Sequence, residues 1–523
     1  MKIKSSSSRS LFLFATIVSF YAIFSKILGL IREMLIANYF GATKFTDAYL
    51  IGWTVPETFL HLIAGRALVT AFIPVFTDEL EKKNYLSAWR MANALRNLVN
   101  LIFVFIVLFI YIFSYPIIRT IAPGIKDSVT INYAVTFMRI LSISLIFTSS
   151  LSIYTGILNT FKKFYITGLS ELLLNAGIVF SLIFFVRRLN IYSIVLGAYE
   201  GRLLFLLLLI IGTYKINKLH NVIISFRDKL KIFHPQIKNI AKLYTPLLFG
   251  NLIGYLNIIV DRTICSFLPP GNIASLSFAG RIVMIAVNII SIPVSTVLYP
   301  ELSLNSARNN IKKFSEISIK SMKSLLYLMV PLTVFLFVYR EEIVTLLFKR
   351  GNFDERAVIL TANVLIFYSF YTIFISLNYL SGTILNSLKL TKITTLVNSI
   401  GILVNIFLSL VLVKTYKLKG IAFATSFSAF LIFILYLFFI SKHIRIGNFI
   451  KYFSKIIFIG AILFLGLFFF ARINFLTGWK ENILKLGLKL FISGLVLCFI
   501  YFILSFFIKA REYKILFHLL KKK

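Results

Sequence analysis

The chain has 523 residues, of which 59% are hydrophobic and only 14% charged, with 55 Phe and a mean hydropathy of +0.89. A soluble domain carries about 25% charged residues, so this composition excludes one and describes an integral membrane protein. The net charge of +37 would suit a nucleic-acid binder, but the Lys and Arg lie mostly in short connections between apolar runs, where membrane topology places them; no nucleic-acid partner is expected, and the phospholipid bilayer is.

Long runs such as Leu101 to Phe113 and Ile456 to Ala471 favour helices over the ten-residue alternation of a membrane barrel. The apolar runs predict fourteen spans, near 11–31, 47–73, 98–118, 131–158, 164–186, 192–214, 241–267, 273–300, 324–348, 358–386, 393–413, 419–440, 452–471 and 483–508. The first is too long and too charged internally to be a cleavable signal, and it lacks an Ala-x-Ala end. An even number of spans puts both termini on one side. With the N-terminus inside, inner connections and tails hold 33 Lys and Arg, outer ones 17 and the spans six, so both termini are expected in the cytoplasm. The connection 215–240 sets Leu219, Val222, Ile223, Phe226, Leu230 and Phe233 at helical spacing among lysines, the pattern of a basic amphipathic helix on the cytoplasmic leaflet.

The two sides of that connection repeat. Ile157-Leu158-Asn159-Thr160 with Lys162 returns as Ile384-Leu385-Asn386-Ser387 with Lys389; Phe40-Gly41 returns as Pro270-Gly271, and Ile73-Pro74 as Tyr299-Pro300. The expected fold is therefore all-α and membrane-integral, two pseudo-symmetric six-helix lobes plus two C-terminal helices. The lobes are 1–214 and 241–440, joined by the linker 215–240, with the last two spans and a basic tail in 441–523. Tandem repeats of this kind mark transporters, whose substrates bind near the midplane.

Six cations, Lys26, Arg66, Arg139, Arg202, Arg262 and Arg281, lie within otherwise apolar spans, and Arg32 closes the first. Charge is costly there and is kept where it meets water, a partner or an anionic ligand. Arg139, Arg202 and Arg262 are expected to pair internally or reach an interface: Arg202 follows Glu200 by two residues, and Arg262 adjoins Asp261. Lys26 and Arg281 are expected to line a cationic cavity for a phosphate or diphosphate on a lipid. Asp47, Glu57, Glu171, Glu200 and Asp261 are the intramembrane acids. Asp47 opens span two as a helix cap or end charge, whereas Asp261 suits cation or proton coupling. Cys265 and Cys498 form no spaced pair and the five His are scattered, so neither a disulfide nor a metal site is expected. No His–acid pair, serine elbow or phosphate loop stands at catalytic spacing, which points away from an enzyme.

Ser25-Lys26-Ile27-Leu28-Gly29-Leu30-Ile31-Arg32-Glu33, Tyr39-Phe40-Gly41-Ala42, Thr46-Asp47-Ala48-Tyr49, Pro56 and Ala71-Phe72-Ile73-Pro74 together resemble the opening of the MurJ/MviN lipid II flippases. Val260-Asp261-Arg262, Leu347 to Phe353 and Gly420 to Ser426 extend the resemblance over about residues 10 to 440. It implies a fourteen-helix member of the multidrug/oligosaccharidyl-lipid/polysaccharide exporter superfamily in a bacterial inner membrane. Such a protein moves lipid II, the undecaprenyl-diphosphate-linked peptidoglycan precursor, to the outer leaflet by alternating access. No cofactor is implied, and a monomer is expected, with helices thirteen and fourteen forming a groove for the lipid tail. Cavity residues carry over at Arg32, Asp47 and Arg281. Lys26 keeps the charge of the usual Arg without its bidentate fork. Where relatives often carry paired Arg, this chain has Leu60 and His61; Gly65-Arg66 replaces a Glu-Gly, and Gly280 a common Asp. His61 and Arg66 are the side chains at hand to complete the head-group contacts. Asp261, Asn405 and Thr425 match a cation site, with Ser409 where an acid can occur, so Na+ or H+ coupling is an expectation, as is a pull from the membrane potential. Two alternatives stay open: a carrier of another polysaccharide-linked lipid or an ion-coupled drug antiporter, and a non-transporting scaffold for envelope assembly.

Overall fold

In the computed structural model, residues 8–219, 231–471 and 483–507 are described. Residues 220–230 of the expected amphipathic linker, and the basic tail beyond 507, lie outside them. Among the described residues there is no strand. The helices run α1 (Ser8–Phe40), α2 (Lys44–Ala64), α3 (Arg66–Glu81), α4 (Tyr85–Ile121), α5 (Ser128–Thr148), α6 (Leu151–Thr160), α7 (Phe164–Thr167), α8 (Ser170–Leu189) and α9 (Tyr192–Leu219). After the linker come α10 (Ile237–Cys265), α11 (Asn272–Ala286), a π-helical turn (Val287–Ser291), α12 (Ile292–Ala307), α13 (Ile311–Val338) and α14 (Arg340–Phe348). The chain continues as α15 (Glu355–Ser387), α16 (Thr391–Ser441), α17 (Gly447–Ala471) and α18 (Ile483–Phe507).

Eleven stretches among the described residues are long and apolar enough to cross a membrane. The stretch Thr391–Ser441 carries two of the expected spans on either side of Lys417, whose φ of 50° breaks the helix. With α1 and α10, which coincide with the first and seventh expected spans, the architecture is consistent with fourteen. The interruptions have local causes. Phe113 leaves helical geometry three residues before Pro116 in α4, and the π turn ends against Pro293, which cannot donate to the ladder.

The duplication is written into the backbone. Outside glycine, the left-handed residues among those described come in pairs 226 or 227 residues apart: Lys83 with Asn309, Lys162 with Lys389, and Asn190 with Lys417. Helix caps repeat likewise. The Asn84 side chain accepts from Ser87 N at 3.3 Å and Asn310 from Lys313 N at 3.1 Å. Asp127 accepts from Val129 N at 3.2 Å and Asp354 from Ala357 N at 2.8 Å. The Thr167 hydroxyl donates to Asn159 at 2.8 Å, as Thr394 does to Asn386 at 3.0 Å. A cap and a left-handed residue at each corner fix where each helix stops, so equal spacing means equal supersecondary units.

The chain divides into two compact units, Met1–Ile273 and Ala274–Lys523. This boundary differs from the expected lobes: by sequence repetition α10 opens the second half, yet its contacts are with unit 1. The Tyr244 hydroxyl on α10 donates to Leu62 O at 2.7 Å, and Tyr255 stacks on His61 with ring centroids 5.8 Å apart. Within unit 1, Phe72, Phe76 and Trp89 form a buried aromatic ladder with centroids 5.0 and 6.1 Å apart. Helices α8 and α9 touch backbone to backbone, where a Cβ on Gly197 would meet Gly177 O at 2.5 Å; small residues permit this when no hydrophobic force drives helices together. Within unit 2, Phe278, Phe348 and Phe353 form one cluster at 5.0–5.7 Å. The last helix is pinned by buried Lys489, bonded to Glu342 at 3.2 Å, and by the Tyr501 hydroxyl donating to Tyr327 O at 2.8 Å.

Candidate functional site

The α1–α8 contact in unit 1 gathers the first of the predicted cations. Lys26 Nζ lies 2.7 Å from the Glu171 carboxylate. Six residues on, Arg32 donates through Nη1 to Asn175 Oδ1 at 2.8 Å and pairs through Nη2 with its neighbour Glu33. Asn175 in turn donates to Ser25 O at 3.0 Å. Glu171 and Asn175 are one turn apart on α8, so a single helix face holds both Lys26 and Arg32.

A second set lies between α2, α5 and α9. Glu57 bonds Arg202 at 2.6 Å and His61 at 3.0 Å. Arg202 also donates to the Ser144 hydroxyl at 3.0 Å and lies 5.2 Å from the Trp53 ring. The expected internal pairing of Arg202 therefore holds, but with Glu57 rather than Glu200, because residues two apart on a helix face different ways. Arg139 bonds Ser114 at 2.7 Å and lies 5.1 Å from the Tyr111 ring; Arg262 donates to Leu50 O.

Span two breaks at Gly65, between α2 and α3. The carbonyls freed there are met by hydroxyls: Tyr244 on Leu62 O, and Ser152 on Ala64 O. Arg66 opens α3 with its side chain exposed. At the other end of span two, Asp47 is not the cap of α2, a position held by Thr43. Its Oδ2 instead accepts the Gly271 N–H at 2.6 Å. Gly271 sits at φ 90° against Ala42 O, a conformation and an approach only glycine permits. The turns at 41–46 and 270–272, equivalent in the duplication, are thus clasped together inside unit 1.

The other predicted residues divide between the units. Asp261 lies on α10 in unit 1. In unit 2, Asn405 donates to the Thr425 hydroxyl at 3.1 Å, and the buried Ser409 hydroxyl, one turn further along α16, has no hydrogen-bond partner. Arg281 is exposed on α11. In the sequence Glu57 and Glu171 stand out only as intramembrane acids, and nothing marks Asn175 or Ser144. Their partners lie 145 and 143 residues away for Glu57 and Asn175, so no local spacing signals them.

The model of the family described as "Lipid II flippase MurJ" matches residues 36–500. The chain belongs to the MurJ lipid II flippase family. A probable lipid II flippase MurJ of Aquifex aeolicus is 31% identical over 394 residues, 74% of each chain. A solved MurJ structure, an inward closed conformation, superposes with a TM-score of 0.79 at 25% identity, covering 94% of this chain and 99% of that one. An inward-facing multidrug MATE transporter of the MOP superfamily shares the fold at a TM-score of 0.64 and 14% identity, over 82% and 98% of the two chains. The multi-pass helical architecture is thus that of MurJ, within the wider exporter fold.

Proposed function

We propose that this chain is a transporter that moves lipid II from the cytoplasmic to the outer leaflet of a bacterial inner membrane by alternating access, both termini cytoplasmic. The observation that carries the reading, beyond family membership, is the gathering of Lys26, Arg32, Glu171 and Asn175 at the α1–α8 contact. Two cations there stand on one helix inside an apolar span, which suits recognition of a diphosphate. Arg32, oriented by Asn175 and Glu33, offers a fixed fork; Lys26 supplies a mobile point charge. Arg66 and His61 in unit 1 are assigned further head-group contacts, as is Arg281 in unit 2, and Asp47 is assigned a supporting role through its clasp on Gly271.

Coupling to Na+ or H+ is assigned to Asp261, Asn405 and Thr425. The Asn405–Thr425 bond and the orphaned Ser409 hydroxyl supply neutral oxygens of the kind such a cation takes. Positive charge on the carrier also lets an inside-negative potential favour its return. The chain acts as a monomer without a cofactor and without catalysis of its own. Lys26→Ala and Arg281→Ala are each expected to abolish rescue of cells depleted of their own lipid II flippase, at normal membrane abundance. Full rescue by the double variant would contradict this assignment.

A further inference from the structure

Glu171 has no part in the head-group contacts assigned above. It lies in the first turn of α8 with 59% of its side chain exposed, and it pairs with Lys26 at 2.7 Å. One of the cations assigned to the diphosphate, Lys26, is therefore held by an acid from another helix. Lys26 and Arg32 are held differently. Arg32 is 15% exposed and takes both a carboxylate and an amide, whereas Lys26 is 32% exposed and takes the more exposed Glu171. An exposed pair of this kind is worth little and exchanges readily, and an ammonium changes partners without the geometric demand of a guanidinium fork.

We propose that Glu171 is a resident counter-ion. It occupies the Lys26 ammonium while the site is empty, and a diphosphate oxygen displaces it when the head group enters. This rests on the function proposed above and adds the residue that sets its affinity. A carboxylate of the protein's own competes with the phosphate, so it weakens binding and speeds release by taking Lys26 back. It also spares the empty carrier an uncompensated cation within a span.

The test uses the full chain in lipid nanodiscs with undecaprenyl diphosphate as probe, and proteoliposomes with lipid II for turnover. Glu171→Gln should bind the probe roughly three- to fivefold more tightly and move lipid II more slowly at saturation. Glu171→Asp, which keeps the competitor, should stay within about twofold of the parent chain. The gain from Glu171→Gln should vanish in a Lys26→Ala background, an outcome that a merely structural role would not produce. Unchanged or weaker binding by Glu171→Gln, or a gain that survives without Lys26, overturns the counter-ion role alone. A parent chain that binds no diphosphate lipid overturns the proposed function and this inference with it.

Discussion

Arg202 shows what a charge in a span requires. Its side chain is only 7% exposed, and its guanidinium is shared by Glu57, Ser144 and the Trp53 ring. Arg202→Leu would leave the Glu57 carboxylate with His61 alone, and breaking a buried pair from one side costs about 3 kcal/mol. Thermal unfolding in nanodiscs should show a clear fall in Tm, whereas Arg66→Leu, at an exposed position, should leave Tm within error. At the membrane edge, Asp127 is pulled down to about 2 by the Thr130 hydroxyl at 2.7 Å, and by Lys44 at 3.2 Å and the Val129 N–H. A depressed carboxylate contributes stability above its unfolded value of about 3.9, and that stability is lost as pH falls through the folded value. Acid unfolding between about pH 4 and 2 should therefore be less steep in Asp127→Asn than in the parent. The sequence shows such residues individually but not their partners: Arg202 and Lys26 stand out by composition, while Glu57 and Glu171 became partners only through folding.

Among the helices, legibility follows length. Twenty apolar residues in a row can do little in a bilayer except span it as a helix, so the spans were readable nearly one for one. Their interruptions were less so. The break at Gly65 and the turn at Ser149–Ser150, which splits span four into α5 and α6, lie within runs that remain hydrophobic and leave no periodic signature. The placement of α10 was also hidden, because duplication records ancestry and packing records contacts. Close approach of α8 and α9 gives a direct test. Gly197→Val would drive side-chain atoms into the Gly177 backbone, where even a Cβ comes within 2.5 Å, and overpacking of this kind costs about 1–3 kcal/mol. Gly254→Ala in α10, where an added Cβ meets nothing within 4 Å, should be neutral or raise stability by up to about 1 kcal/mol. Equal losses of Tm in the two variants would contradict the α8–α9 packing described here.

For the molecule as a whole, three sequence landmarks sufficed to suggest duplication. The structure adds left-handed corners and caps at matching intervals, down to Asp127 and Asp354. Two similar halves, each with its own caps and core, are the architecture expected of an alternating-access carrier, and membership of the MurJ family joins that architecture to lipid II. The charge set assigned to the head group in unit 1 comprises Lys26, Arg32, His61 and Arg66, with an acid facing Lys26 from α8. The most direct test is leaflet-resolved movement of lipid II in proteoliposomes containing the parent chain or the Lys26→Ala/Arg32→Ala variant. The account predicts translocation by the parent and none above empty liposomes by the variant, with both equally folded. Equal translocation by the two, or none by the parent, would contradict it.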